Sequence, residues 1–326
     1  MRVACHILTS SLLAWSALVP VARAGQLDDL ASAKSLTDAQ KQSIRTEVEA
    51  GVKRLGSADV PVVTQARQDL SAWADGAPTP VFRGEFSKVA CGPLGDLVLR
   101  GEPIQAVNAI EVLRVVRTYE ALQQLAKLSS SAAMANTGIR LAASRALVAS
   151  IDAGTDMNAA QADGLVRAIT EATKREVEWA CSMSQLGALA SIAKRSGMDA
   201  KVVSAARNGQ VSGLSAIATR VAKGDAKDAQ LMKSASRVLA GMRKDLANAP
   251  AADRAALAGT LTPVVDALRK AAAAPPAGID ADVAAAYAET GKAADLMAEL
   301  LKASGKPAAK PTGKPASKPA PKKPAP

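Results

Sequence analysis

Cys91 and Cys181 carry the most reactive side chains in this sequence, and they stand in different surroundings. Cys181 lies in the helical stretch Glu176-Val-Glu-Trp-Ala-Cys-Ser-Met183, whereas Cys91 lies in the looser Val89-Ala-Cys-Gly-Pro93. A thiol becomes a nucleophile only beside a base or a cation. The single histidine, His6, falls in an N-terminal leader, so the remaining chain has none. That excludes the commonest general base, the commonest zinc ligand and the Ser-His and Cys-His nucleophile pairs. The serines at 129–131 and in Gly209-Gln-Val-Ser-Gly213 therefore have no histidine to activate them. Glu176 and Glu178 point to different sides of a helix and make no local acid–base pair. Phosphate-binding loops and calcium-loop spacing do not occur. Trp73 and Trp179 stand at helical spacing among alanine and valine, which places them in a core more readily than on a ligand-stacking platform. The sequence thus contains no recognisable catalytic residue, metal site or cofactor motif.

The two ends of the chain carry their own signals. Arg2 supplies a thin positive region, residues 7–21 are mostly apolar, and Ala22-Arg23-Ala24 places small residues where a signal peptidase reads them. Residues 1–24 are expected to be a signal peptide cleaved before Gly25, with no membrane span left afterwards. Export to a periplasmic or extracellular space follows. In such an oxidising compartment Cys91 and Cys181 form one disulfide in the simplest reading. Two buried thiols packed as small hydrophobes are the alternative.

From residue 305 onward Lys-Pro recurs every four residues, at Lys306, Lys310, Lys314 and Lys318, and Lys322 and Lys323 follow. Proline at that frequency forbids a helix, and alanine alone offers no core, so 305–326 is expected to be an extended polyproline-like tail. The whole chain carries a net charge of +11. Two of those charges sit on Arg2 and Arg23 and six on the tail lysines, which leaves +3 for residues 25–304. The basicity belongs to the tail and not to a folded face. A segregated cationic tail suits salt-sensitive attachment to an anionic envelope polymer, or serves as a solubilising spacer. Nothing points to sequence-specific recognition of nucleic acid.

The elements between the ends read as helices. Aromatic residues are few, the apolar content is alanine, leucine and valine, and runs that alternate in the manner of strands are scarce. Thr37-Asp-Ala-Gln40 has the spacing of a capping box and opens a helix to about residue 55. A second helix covers 62–74. Glycine and proline crowd residues 76–101, which read as a loop-like insert holding at most one short helix at 84–90. Helices are then expected at 105–118, 120–128, 138–151, 158–182, 184–195, 199–207, 211–222, 226–248, 251–273 and 280–304. Pro263 should kink or split the helix of 251–273. Asp163, Arg167, Glu171 and Arg175 at four-residue steps form either a binding ridge or a solvated face of ion pairs.

Residues 120–128 place Leu122, Leu125, Ala126 and Leu128 near one helical face. Residues 138–147 repeat the arrangement with Ile139, Ala142, Ala143, Ala146 and Leu147. This pair resembles a short HEAT-type helical repeat, with 106–117 as the second helix of the preceding repeat and a weaker echo at Ala66, Arg67 and Leu70. The resemblance implies a scaffold that presents a surface to a protein or peptide partner, and no reaction. The expected fold is all-α: a HEAT-like right-handed helical array or solenoid over 25–155, with the alanine-rich 156–304 either continuing it or forming an antiparallel bundle.

Overall fold

The computed structural model describes residues 24–76 and 78–304. The leader up to Arg23 and the whole Lys-Pro tail lie outside the described residues, and so do the expectations placed on them. The elements are α1 (Ala24–Ala31), α2 (Asp38–Leu55), α3 (Val60–Asp75), α4 (Pro80–Arg100), α5 (Pro103–Val116), α6 (Tyr119–Leu128) and α7 (Thr137–Asp152). They continue with α8 (Ala159–Arg175), α9 (Trp179–Lys194), α10 (Ala200–Val221), α11 (Ala226–Ala229), α12 (Met232–Ala247), α13 (Ala251–Ala272) and α14 (Ala281–Ser304). No strand occurs among the described residues, so the chain is all-α. Among the described residues no helix is long and apolar enough to cross a membrane.

Two compact units divide between Ala121 and Leu122, inside α6. In the first unit α2 packs on α3 and α4 on α5, while α2 also packs on α4 and α3 on α5. This makes two stacked helical hairpins. Ile44, Val48, Leu70, Phe82, Phe86, Ile110 and Leu113 are the buried residues between them. The Thr37 hydroxyl accepts from the Gln40 amide at 3.3 Å and the Gln40 side chain accepts from the Thr37 amide at 2.8 Å, the reciprocal cap expected from the spacing. Thr79 fastens α1 by donating to the carbonyls of Ala31 and Ala33, both at 2.8 Å.

The crowding of glycine and proline at 76–101 does not produce a loop. It produces α4, a helix of 21 residues. Pro80 occupies the first turn, where its missing N–H costs nothing, and the Thr79 side chain caps it. Phe82, Phe86, Ala90, Cys91, Leu94 and Val98 then recur at helical spacing and are all buried. Burial of that face outweighs the poor helix propensity of Gly84, Gly92, Pro93 and Gly95.

The second unit has two rows. One runs α7, α9, α12, α14 and the other α8, α10, α13, with α9 wedged against both α8 and α10. Within this unit the two rows run to the C-terminal helix. α14 packs on both α12 and α13 and closes the stack. Lys292, Asp295 and Glu299 of α14 are exposed, and Asp295 lies 3.9 Å from Arg269 of α13. The short helices α6 and α11 precede α7 and α12.

Gly154, Gly197, Gly224 and Pro250 stand at breaks within this unit, but three sites depart from what glycine and proline suggest. The expected helix of 158–182 ends at Arg175, and α9 begins at Trp179. Residues 200–221 form one helix through Gly209, and α13 runs through Pro263 without interruption.

Tyr287 of α14 is 2% exposed and its hydroxyl meets no partner among the described residues. Burial pushes its ionisation above the usual range. Tyr287→Phe should leave stability unchanged or raise it by about 1 kcal/mol, because a desolvated hydroxyl without a hydrogen bond is a net cost. Urea unfolding monitored by circular dichroism gives the sign.

Candidate functional site: the groove between α10 and α13

Helices α10 and α13 lie side by side in the second row. The exposed sides of both are unusually bare. Between Arg207 and Arg220 on α10, and between Arg254 and Asp266 on α13, there is no charged residue. The groove contains two clefts. One of about 320 Å³ is lined by Met198, Val203, Ser204, Asn208, Ala256 and Leu257, with the charged Arg207 and Asp253 also in its wall. The other, of about 660 Å³, is lined by Ser212, Ser215, Thr219, Thr260, Pro263 and Ala267, with Lys174 of α8 at its side.

Side chains this short leave a smooth floor on which another backbone can lie close. Thr219 and Thr260 donate to the carbonyls of Ser215 and Leu257 in their own helices, at 2.9 and 3.1 Å, so their oxygens are left as acceptors along it beside the exposed Ser215. A charge pair marks one end, where Arg207 donates to Asp253 at 2.9 Å across the two helices. Beside it Lys194 of α9 pairs with Asp245 of α12, also at 2.9 Å. The floor itself is held by small-residue packing beneath it. Gln210 is buried and donates to the Leu186 carbonyl at 3.3 Å, which fixes α10 on α9.

The residues singled out in the sequence are not brought together in this groove. Cys91 and Cys181 are both free, buried thiols, each with partners in its own unit. The disulfide expected from their number is thus not formed in this structure, and the alternative of two buried thiols describes it. Cys91 sits 3.3 Å from the Ser87 hydroxyl, and Cys181 faces the Thr137 carbonyl at 3.8 Å. Burial pushes both thiols up to about 11, so neither is poised as a nucleophile. Ser129 donates to the Ala126 carbonyl and lends its own carbonyl to Gln185. The serine of Gly209–Gly213, Ser212, lines the larger cleft.

The ridge of Asp163, Arg167, Glu171 and Arg175 is a solvated face. Arg167 pairs with Asp163 at 3.1 Å, and Lys174 holds the Glu171 carboxyl below its usual range by hydrogen bond and charge. Trp73 is core. Trp179 is half-buried, with the Lys233 ammonium and the Arg237 guanidinium each 5.4 Å from its ring. Ser234 donates to the Trp179 carbonyl at 2.6 Å, so this cluster fastens α9 to α12. No group of His, Cys, Asp and Glu arranged to hold a metal occurs among the described residues.

One constellation escaped the sequence altogether. Arg140 and Glu176 form a buried, two-pronged ion pair: Nε reaches one carboxylate oxygen and Nη2 the other, both at 3.1 Å. Nη1 donates to the carbonyls of Met134 and Ala135 and Nη2 to Thr137. All five guanidinium donors are thereby used. Glu176 also accepts the amides of Val177 and Glu178, which is why the chain turns there and α8 does not run into α9. A lone arginine amid Ile139, Leu141, Ala142 and Ala143 was the available signal.

No protein-family model matches the chain. No curated protein matches it either. Among solved structures, an engineered protein aligns over 79% of this chain and 98% of its own, at 20% identity and a TM-score of 0.41. A designed armadillo repeat protein in complex with the peptide (KR)4 aligns over 76% and 99%, at 16% identity and a TM-score of 0.40. Computationally designed armadillo repeat proteins for modular peptide recognition align over 78% and 99%, at 18% identity and a TM-score of 0.39. At these scores the likenesses bear on neither family nor function, and the two-row helical architecture stands on this chain's own packing.

Proposed function

We propose that this protein is an exported, non-enzymatic helical-repeat scaffold whose α10–α13 groove binds a protein or peptide partner, and whose Lys-Pro tail attaches the complex to an anionic envelope surface. The observation that carries the reading is the uncharged, small-residue floor of the groove in a chain where 22% of residues are charged. A long face kept free of charge by two neighbouring helices is what an extended backbone needs in order to lie close and be held by hydroxyls. The histidine-free body and the buried, protonated thiols support a binding role over a catalytic one. Segregation of positive charge into the tail supports the attachment.

The test compares the full chain with a chain ending at Ser304 in capture from envelope extract at low and high salt. The reading expects the shortened chain to retain a specific partner at high salt. Retention by the tailed form alone, released by salt, would mean that the lysines carry the function and the helices are a carrier.

A further inference from the structure

We propose that residues 92–100, the C-terminal half of α4, are a flap that opens locally from α2 and α5 while the rest of the first unit stays folded. α4 packs on both of those helices. Its two halves are joined by Gly92-Pro93, which is exposed on the helix surface. Pro93 has no N–H, so the hydrogen bond that would clamp the second half to the Val89 carbonyl cannot form. A Cβ at Gly92 would meet nothing within 4 Å. Packing therefore does not require glycine there, and it contributes only backbone freedom.

The halves are held very unequally. The first buries Phe82, Phe86, Ala90 and Cys91, and its two phenylalanine rings lie 6.2 Å apart. Its Ser87 hydroxyl lies 2.6 Å from that of Thr118 and donates to Glu120 at 3.4 Å. The second half buries only Leu94, Gly95 and Val98, leaves Leu99 exposed, and carries one loose ion pair, Asp96 with Arg100 at 3.7 Å.

α13 carries a glycine and a proline four residues apart, in a firmer setting. Gly259 and Pro263 are also exposed, but Val264, Val265, Leu268 and Ala271 follow in the core and α14 packs on that helix. Opening of the α4 flap would expose the buried Leu94 and Val98, and so create an apolar surface that exists only in the open state.

Native-state hydrogen exchange on the full chain tests this. The amides of residues 94–100 should exchange roughly 100-fold faster than those of 83–90, under conditions where the rest of the unit is protected. Pro93→Ala should slow the flap by about 100-fold and Gly92→Ala by about fivefold, from the cost of each residue in a helix interior. Gly84→Ala, at the other open glycine, should leave the flap's rate unchanged. Equal exchange in both halves, or an equal slowing of both by Gly84→Ala, would overturn the proposal, because α4 would then open only as a whole.

Discussion

Glu176→Ala should cost the second unit about 3–5 kcal/mol, because it strands the Arg140 guanidinium in a site where that side chain is only 5% exposed. The effect has two components. One is the uncompensated charge. The other is the turn at 176–178, which loses the carboxylate that accepts the Val177 and Glu178 amides. Arg140→Ala should cost a similar amount by leaving the carboxylate unpaired. The double variant Arg140→Ala with Glu176→Ala should cost less than the two singles together, since it removes both charges at once. Urea unfolding of the four proteins closes the cycle. Single losses below about 1 kcal/mol would show that water reaches the pair and screens it.

The second large effect is expected on α10. Gly209 and Gly213 are four residues apart and face inward together. A Cβ on Gly213 would lie 2.7 Å from both Leu186 Cδ2 and Thr173 Cγ2. One on Gly209 would run into the Thr170 hydroxyl and lie 3.2 Å from Leu189 Cδ1. These glycines let α10 approach α8 and α9 at the same level, directly beneath the groove. Gly213→Ala should destabilise by about 1–3 kcal/mol and Gly213→Val by more, through overpacking. Gly241→Ala on α12, where the new Cβ meets nothing within 4 Å, should stabilise by about 0.5–1 kcal/mol and serves as the control. Equal effects at 213 and 241 would mean that helix propensity, and not close approach, governs α10.

Local signals in the sequence were reliable and long-range ones were not. The Thr37–Gln40 box lies within a single turn, and the helix it opens was correctly read to Leu55. The apolar spacing of 120–128 and 138–151 likewise marked α6 and α7. Their pairing as one repeat was wrong in its grouping, because α7 packs along its row on α9. The repeat period was hidden for a related reason. In the second unit the helices of the second row open after Asn158, Asp199 and Pro250, but the stretch leading to Pro250 contains an extra short helix. α4 was missed because glycine and proline were weighed as breakers, when the burial of six apolar residues decided its fold. The opposite error occurred at 176–178, where no glycine or proline stands. The break there is made by Arg140, distant in sequence. The groove was invisible for the same reason, since it exists only once α10 lies beside α13.

The most direct test of the account is to place charge on the groove floor without disturbing the core. Ser215 and Ala267 are both exposed and line the larger cleft. Ser215→Arg with Ala267→Glu, in the chain ending at Ser304, should leave the melting temperature within about 2 °C of its parent. The same variant should abolish capture of the partner at high salt. Undiminished capture by a fully folded variant would contradict the claim that the α10–α13 groove is the docking face.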